Sequence, residues 1–313
     1  MFNGDFVGIG AGWNHNVGLK DDNSIEAWGA GLGEPPAPNS SFIAVAAGTW
    51  HNLGLKGDGS IVAWGDNWAG QCIVPAPNGG FVSIGAGGSH SLGLKADGSI
   101  VAWWSNNFGQ CNVPVPNSGY VAVAGGAAHS IGLKLDGSIV ALGDNTFGQS
   151  IVPVPNNGFV GIAAGGYQNL GLRDDGAVVA WGVGPGEPPA PNSSFIAVAA
   201  GMWHNLGLKV DGSIVAWGDS TFGQCIVPAP NCGFVGVAGG VYHSLGLKAF
   251  YGDLDCDGDV DFDDINPFVS AIGAEPVAWN LAHAGCHWLN ADCDGDGDVD
   301  FDDIDPFVAL LTR

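Results

Sequence analysis

A repeat of 36 or 39 residues constrains the fold of this chain more than any other feature of the sequence. One unit reads "FIAVAAGTWHNLGLKGDGSIVAWGDNWAGQCIVPAPNGG". Seven units begin at Phe6, Phe42, Phe81, Tyr120, Phe159, Phe195 and Phe234. The shorter spacing follows Phe6 and Phe159, whose units carry the connection "GEPPAPNSS". A period in this range indicates supersecondary units that bury their apolar faces against their neighbours.

Each unit has the pattern of a small antiparallel sheet. "FIAVAAG" has the length of a buried strand, and "HNLGLK" and "SIVAWG" flank a Gly-Asp-Gly turn. The Asp-Gly pair supplies the positive φ angles that a tight hairpin needs. Three or four strands in about 40 residues are typical of β-propeller blades. We therefore expect a mainly β chain with a seven-bladed β-propeller over residues 1–250.

The last blade of this propeller is incomplete in the sequence. The unit from Phe234 to Ala249 has two strand segments but no "DGSIVAWG". At the other end, "NGDF" at 3–6 aligns with "NGGF" at 78–81, just after the place of that segment. One interpretation is that the closing strand lies upstream of Met1, where a signal peptide would also lie. The other is a blade of two strands.

Acidic residues are concentrated at the C-terminal end of the chain. The net charge is −23, and residues 1–250 contain 15 Asp/Glu and seven Lys/Arg. Residues 251–313 contain 16 Asp/Glu and one Arg. Such a chain is repelled by nucleic acid and by anionic membrane surfaces. The change in composition predicts a domain boundary between the propeller at 1–250 and a second domain at 251–313.

The propeller units resemble a known repeat family. The motif "VAAGxxHSLGLKxDGSIVAWGDNxxGQ", best seen at 123–149 and 198–224, resembles the regulator-of-chromosome-condensation repeat. The resemblance extends over residues 6–250 and implies a β-propeller fold. The bacterial β-lactamase inhibitor propeller is similar in its lean blades. The resemblance implies less about function, because propellers carry many functions.

Three residue types recur at fixed positions in the units. Basic residues beside the Asp-Gly turn are expected either to pair locally or to form an anion-binding ring; they are Lys20, Lys56, Lys95, Lys134, Arg173, Lys209 and Lys248. A recurring histidine is replaced once, by Gln168; the set is His15, His51, His90, His129, His204 and His243. Because metal ligands converge on one ion while blades hold equivalent residues apart, we favour a hydrogen-bonding frame over a metal site. A recurring tryptophan is expected to pack between blades, at Trp28, Trp64, Trp103, Trp181 and Trp217.

The two positions before each histidine vary between units. Their aromatic members are Trp13, Trp50, Tyr167, Trp203 and Tyr242. Aromatic side chains on a rigid frame are good anchors for proteins or sugars, so these five form the predicted ligand-binding face. Ordinary loop packing is the alternative. A second aromatic set sits before Gly-Gln in another loop and is expected in the core; it comprises Trp68, Phe108, Phe147 and Phe222.

Two acidic segments have the spacing of calcium loops. Such loops place oxygen ligands at positions 1, 3, 5, 7, 9 and 12, with glycine at 6. The first segment provides Asp253, Asp255, Asp257, Asp259, Asp261 and Asp264, with Asp259 acting through its backbone carbonyl. The second provides Asp292, Asp294, Asp296, Asp298, Asp300 and Asp303. A hard dication relieves the repulsion within each segment, so we predict two Ca²⁺ ions and a module that folds only with calcium.

Each calcium loop precedes apolar residues at helical spacing. These are Ile265, Phe268, Val269 and Ile272, and then Ile304, Phe307, Val308 and Leu311. Paired calcium loops, each followed by one helix, resemble the dockerin family over residues 252–313. The resemblance implies a small α-helical EF-hand-type domain that docks onto a cohesin-like or surface partner. Where the family often has small hydroxyl residues for docking, this chain has Phe262, Asp263, Phe301 and Asp302.

These features predict a secreted or cell-surface binding scaffold rather than an enzyme. The propeller would recognise a protein or glycan, and the calcium module would tether it where calcium is about millimolar. The sequence contains no Gly-x-Ser-x-Gly, no phosphate loop and no zinc-ligand spacing. A polysaccharide-active propeller enzyme, delivered by the same module, is the alternative. Among the seven cysteines, Cys225 with Cys232, and Cys286 with Cys256 or Cys293, are candidate disulfides, with free buried thiols as the alternative.

Overall fold

The computed structural model of this chain describes residues 6–30, 34–184, 186–229, 231–248, 265–272, 274, 291, 293 and 299–310. The chain divides into two compact units, residues 7–247 and residues 1–6 with 248–313. No helix in the described ranges is long and apolar enough to cross a membrane.

The larger unit consists of seven small antiparallel sheets, one for each sequence repeat. The first strands are β1 (Phe6–Ala11), β4 (Phe42–Ala47), β7 (Phe81–Ala86), β10 (Tyr120–Gly125), β13 (Phe159–Ala164), β16 (Phe195–Ala200) and β19 (Phe234–Gly239). The second strands are β2 (His15–Lys20), β5 (His51–Lys56), β8 (His90–Lys95), β11 (His129–Lys134), β14 (Gln168–Arg173), β17 (His204–Lys209) and β20 (Ser244–Lys248). The third strands are β3 (Ile25–Gly29), β6 (Ile61–Gly65), β9 (Ile100–Trp104), β12 (Ile139–Gly143), β15 (Val178–Gly182) and β18 (Ile214–Gly218).

Each blade is a meander in chain order. In the second blade the strand order is β4-β5-β6, and His51 pairs with Gly65 while Leu55 pairs with Ile61. Gly59 in the predicted Asp-Gly turn has a φ of 78°, as the tight hairpin requires. The seventh sheet has two strands, β19 and β20, within the described residues. The mainly β architecture with repeated three-stranded blades confirms the predicted fold class for this part of the chain.

The hydrophobic core lies between neighbouring blades. One cluster joins Val17, Leu19 and Ile25 of the first blade to Phe42 and Trp64 of the second. Equivalent clusters contain Trp103, Trp181 and Trp217. The predicted inter-blade packing is therefore confirmed for these four tryptophans.

The connection between blades is fastened to the outer strand by an asparagine. The Asn78 side-chain oxygen accepts the N–H of Ile61 at 2.8 Å, and its Nδ2 donates to the Ile61 carbonyl at 2.8 Å. The side-chain oxygens of Asn39, Asn117, Asn156, Asn192 and Asn231 accept the N–H of the equivalent strand residue. The Pro-Asn segment therefore extends the hydrogen bonding of the third strand.

The expected local pairing of the basic residues is found at Lys20, whose Nζ lies 2.9 Å from Glu26 Oε2 across the hairpin, but five of the other basic residues contact an aromatic ring instead. Lys56 Nζ lies 4.8 Å from the centre of the Phe42 ring and donates to the Pro38 carbonyl at 3.3 Å. The Asp58 carboxylate instead accepts the N–H of Ser60 at 2.9 Å and its hydroxyl at 2.6 Å. A ring contact of the same kind recurs at Lys95, Lys134, Arg173 and Lys209. Lysine reaches the connection because its long stem crosses the preceding aromatic ring, while aspartate is held within its own turn.

The described residues of the smaller unit form two short helices, α1 (Ile265–Ala271) and α2 (Ile304–Leu310), and a 3₁₀ turn at Phe301–Asp303. The rings of Phe268 and Phe307 stack with centroids 4.0 Å apart and planes 7° apart. Ala271, Ala291 and Val299 complete this core. Both helices begin where the sequence predicts. Val269 and Val308, predicted as packing residues, are exposed, because helices of two turns bury only a narrow stripe.

Candidate binding face

Two sets of loops meet at one end of the propeller. The residues between first and second strands adjoin those that follow the third strand, as the bond from the Asp66 N–H to the Trp50 carbonyl shows at 2.8 Å. We call this end the loop face. The hairpin turns between second and third strands, exemplified by residues 56–60, form the opposite end, the hairpin face.

A ring of backbone hydrogen bonds circles the propeller axis at the loop face. A glycine follows the first strand of each blade. In six of the seven blades, the residue after this glycine donates its N–H to the carbonyl of the equivalent glycine in the next blade. The bonds are Thr49 to Gly87, Gly88 to Gly126, Ala127 to Gly165, Gly166 to Gly201, Met202 to Gly240 and Val241 to Gly12. The Trp13 N–H donates to the Thr49 carbonyl at 3.3 Å and completes the circle. The blades are thus closed by main-chain atoms.

The ring surrounds a cavity of about 130 Å³ on the axis. Its lining comes from all seven blades and is mostly glycine and alanine. Thr49, Met202 and Val241 are the largest side chains in that lining. The lining therefore has no carboxylate, imidazole or amine with which to perform acid–base chemistry.

The recurring histidines form the predicted hydrogen-bonding frame. Each histidine reaches the residue that follows the equivalent histidine in the next blade. The distances from histidine Nε2 to the partner side chain are all between 2.6 and 2.9 Å. The pairs are His15 with Asn52, His51 with Ser91, His90 with Ser130, His129 with Asn169, His204 with Ser244 and His243 with Asn16. Gln168, the exception in the sequence, donates to the Gly201 carbonyl at 3.0 Å. The frame interpretation is confirmed.

Burial keeps these histidines neutral. It lowers the pKa of His51 to about 4 and that of His90 to about 3. The Nδ1 atoms of both rings are buried with no hydrogen-bond partner among the described residues. Protonation would place an unpaired N–H⁺ in the core, which explains the direction of the shift.

The predicted aromatic face is built of contacting rings. The ring centroids of Trp13 and Trp50 are 3.9 Å apart, and those of Tyr167 and Trp203 are 5.1 Å apart. Tyr242 contacts Phe222 at 5.0 Å. These contacts bring the five predicted residues into three groups on the loop face, carried by five different blades. Two of the groups are pairs of predicted residues, Trp13 with Trp50 and Tyr167 with Trp203. In the third group, Tyr242 contacts Phe222 of the second aromatic set.

The second aromatic set was expected in the core, and this prediction is wrong. The exposed fractions of Trp68, Phe108, Phe147 and Phe222 are 75%, 57%, 48% and 67%. For Phe108, Phe147 and Phe222 the reason is a buried glutamine beneath the loop, whereas Trp68 lies one position earlier in its loop, in which Gln71 accepts the N–H of Ala69. Gln149 Oε1, for example, accepts the N–H of Phe147 at 2.9 Å, so the glutamine occupies the interior and the ring turns outward. Phe147 then contacts Tyr167 at 5.2 Å and enlarges the aromatic face.

The sequence reasoning also missed Trp104. This residue ends β9, where the other third strands end in glycine, and its φ of 81° lies in the left-handed region. Its ring is 43% exposed and packs against Gly70, in the loop that carries Trp68. The signal was present as "AWW" where the other tryptophan-bearing units read "AWG". A bulky residue in this conformation marks a candidate functional position.

The second acidic segment is described only in part. The Asp303 carboxylate is buried and accepts the N–H groups of Asp300 at 2.9 Å and Cys293 at 2.5 Å. Phe301 and Asp302, predicted for docking, are exposed. Of the predicted ligands, Asp253, Asp255, Asp257, Asp259, Asp261, Asp264, Asp292, Asp294, Asp296 and Asp298 lie outside the described residues, as do Phe262 and Asp263.

The propeller cysteines are free thiols with a structural role. Cys225 donates to the Asp219 carbonyl at 3.2 Å and is not bonded to Cys232, contrary to the candidate disulfide. Cys72 and Cys111 make the same contact with their own loops. Burial raises the pKa of both thiols to about 11, so neither is a reactive thiolate at neutral pH.

Comparison with known families supports the repeat assignment. Residues 42–71, 81–110, 120–149 and 195–224 match the family described as the regulator of chromosome condensation (RCC1) repeat. A search of curated proteins finds no match to this chain.

Solved structures share the propeller fold. The CRINKLY WD40 ectodomain of the Arabidopsis thaliana receptor kinase ACR4 is 25% identical with a TM-score of 0.63, covering 78% of this chain and 92% of that chain. The ectodomain of the Physcomitrella patens receptor kinase CR4 is 22% identical with a TM-score of 0.64, covering 78% and 71%. Yeast RCC1 (Prp20), solved bound to Kap60, is 18% identical with a TM-score of 0.64, covering 78% and 80%. Four segments of this chain thus match the RCC1 repeat, and its larger unit has the fold of solved RCC1-like β-propellers.

Proposed function

We propose that this chain, whose propeller contains segments matching the RCC1 repeat, is a binding scaffold and that a protein partner binds to its loop face. The observation that carries this proposal is the presence of two pairs of contacting aromatic rings on the loop face, Trp13 with Trp50 and Tyr167 with Trp203. Aromatic anchors held on a rigid frame are the residues that dominate protein interfaces.

The frame beneath the rings supports this role. The histidine contacts and the backbone ring join neighbouring blades, so each aromatic loop rests on two blades. A preorganised surface loses little conformational entropy when a partner binds. The axial cavity is lined by small and apolar residues, which favours binding over catalysis.

Structures of the same fold provide a precedent for protein partners. Yeast RCC1 was solved in complex with Kap60, and a second structure of that protein is described with its binding to Gsp1p and histones. The identity of 18% relates these proteins to this chain by fold alone. The identity of the partner of this chain therefore depends on the residues of its own loop face.

We further propose that residues 251–313 bind two Ca²⁺ ions and tether the propeller to a cohesin-like or surface partner outside the cell. The described part of the second segment fits such an ion. Asp303 at position 12 accepts N–H groups from positions 2 and 9, so the start and end of the segment meet. Bound calcium would supply the positive charge that offsets the crowded carboxylates. Exposed Phe301 and Asp302 are available to the partner.

Site-specific photo-crosslinking tests the proposed binding face. A benzophenone amino acid at Trp203, on the loop face, is compared with the same group at Leu135, an exposed hairpin-face residue. Incubation with an extract of the source cells is expected to give discrete protein adducts from position 203 only. Adducts must be competed by unlabelled wild-type chain and not by a Trp13→Ala, Trp50→Ala double variant.

Two results would contradict a protein-binding loop face. One is equal labelling from positions 203 and 135. The other is the absence of competed protein adducts while a glycan array binds the wild type and not the double variant, which would assign the face to sugars. Release of shortened products from such a glycan would instead favour a polysaccharide-active enzyme.

A further inference from the structure

The basic residues of the propeller lie at one of its two ends. The described basic residues of the seven blades end their second strands, at the hairpin face. The loop face carries the carboxylates of Asp66, Asp144 and Asp219, and the described residues of that face include no lysine or arginine. The aromatic rings of the loop face therefore stand in a field of negative charge.

Two of the three carboxylates are fully engaged within their loops. Asp144 accepts the N–H and hydroxyl of Thr146 through Oδ1 and the Gln149 amide through Oδ2. Asp219 accepts the same groups from Thr221 and Gln224. Both oxygens of each carboxylate therefore already accept hydrogen bonds from their own loop.

Asp66 differs from both. Trp68 occupies the position of Thr146 and Thr221 in the loops of Asp144 and Asp219, so an indole replaces the hydroxyl donor. Asp66 Oδ1 accepts only the Trp68 N–H, at 3.1 Å. Gln71, whose equivalents bond the other two carboxylates, leaves its Nε2 buried without a partner among the described residues. Asp66 thus has carboxylate oxygen capacity that its own loop does not use.

The surroundings of Asp66 are aromatic and open. Trp68 is 75% exposed, and the strained, half-exposed Trp104 lies across Gly70 of the same loop. At positions where other blades place Phe147 against Tyr167, this corner has Ala69 and Ser89. We call Asp66, Trp68 and Trp104 the open corner.

We propose that the open corner receives an arginine or lysine side chain from a basic segment of a partner protein; this inference rests on the proposed protein-binding function. A cation stacks favourably on an indole ring, and a carboxylate with free acceptor capacity completes its pairing. The chain uses the same cation–ring chemistry internally, since Lys95 Nζ lies 3.8 Å from the Phe81 ring centre. Complementary charge across an interface also speeds association and selects the partner.

Peptide binding to the full chain, with calcium present, tests this inference. The probe is a fluorescein-labelled twelve-residue peptide of arginine and lysine spaced by glycine and serine, and its neutral twin has glutamine in place of each cation. Fluorescence anisotropy is read at about 150 mM salt to screen long-range attraction. The acidic residues 251–313 attract any cation, so the decisive quantity is the difference between charge-matched variants.

Asp66→Asn and Asp58→Asn each remove one negative charge, the second from the hairpin face. Asp66→Asn is expected to weaken binding of the basic peptide about tenfold, and Asp58→Asn less than twofold. Trp104→Gly, which installs the residue of the other blades, is expected to weaken it about tenfold as well. The neutral twin is expected not to bind at the open corner.

Equal affinities for Asp66→Asn and Asp58→Asn would overturn the inference. The inference would also be overturned if the neutral twin or an oligosaccharide bound the wild type, bound Trp104→Gly more weakly and bound Asp66→Asn with unchanged affinity. In that outcome the loop face is still a binding site, but its partner is not cationic. Concentration-dependent self-association abolished by Asp66→Asn would assign the corner to a second copy instead. Failure of the crosslinking experiment above would, independently, remove the binding face itself.

Discussion

Trp104 occupies a position at which five other blades have glycine. Those glycines, at the ends of β3, β6, β12, β15 and β18, have φ between 94° and 110°. Glycine adopts such angles without steric cost, whereas a residue with a Cβ at φ 81° costs about 1–3 kcal/mol. The fold therefore carries a local strain at this one residue, which the surrounding repeats do not require.

Trp104→Gly is expected to raise the free energy of unfolding by about 1 kcal/mol, because relief of strain exceeds the packing lost with a ring that is 43% exposed. Urea unfolding followed by circular dichroism measures the change. Trp68→Ala, on an exposed side chain without a positive φ, should alter stability by less than about 0.5 kcal/mol. A Trp104→Gly variant less stable than the wild type by about 1 kcal/mol would show that the ring stabilises the fold.

The strands of each blade could be predicted from the sequence, while the direction of the loop rings could not. Strand segments such as "HNLGLK" repeat the same burial in the first six blades, so comparison of units identifies them. The outward position of Phe147 depends on Gln149, whose amide bonds the loop backbone from below. The sequence alone does not show whether an aromatic residue near Gly-Gln is buried or exposed, because this depends on the position of the glutamine side chain in the fold.

Calcium binding is the property expected of the two acidic segments, each followed by a short helix. Isothermal titration should find two Ca²⁺ ions per chain, since each segment supplies oxygen ligands at the required positions. Asp303→Asn, at position 12 of the second loop, should reduce the number to one, whereas Asp302→Asn, at an exposed position outside the ligand pattern, should leave two. Two ions bound by the Asp303→Asn variant with unchanged affinity would refute the assignment of that loop.

The whole propeller is held by contacts between neighbouring blades that depend on neutral histidine. Burial lowers the pKa of His51 and His204 to about 4 and that of His90 to about 3. In the unfolded chain these groups titrate near 6.5. Between these values the unfolded state binds more protons than the folded state, so stability is full above pH 6.5 and is lost as the pH falls toward 4.

His51→Gln is expected to reduce this acid sensitivity, because Gln168 already serves the frame of the fifth blade without a titrating group. Urea unfolding of the propeller from pH 7.5 to 4.5 should show a shallower loss of stability in the variant, by up to about 3 kcal/mol at the acid end. Parallel curves for variant and wild type would mean that His51 titrates alike in both states.

The bonds that close the propeller around its axis come from main-chain atoms, so they survive substitution of the residues that donate them. Those residues already differ in kind, from Trp13 and Thr49 to Gly88 and Met202. Mutation can therefore alter the mouth of the cavity while the hydrogen bonds that join the blades persist. A lineage of such chains can exchange one partner for another through changes in a single blade, inheriting the rest of the frame intact.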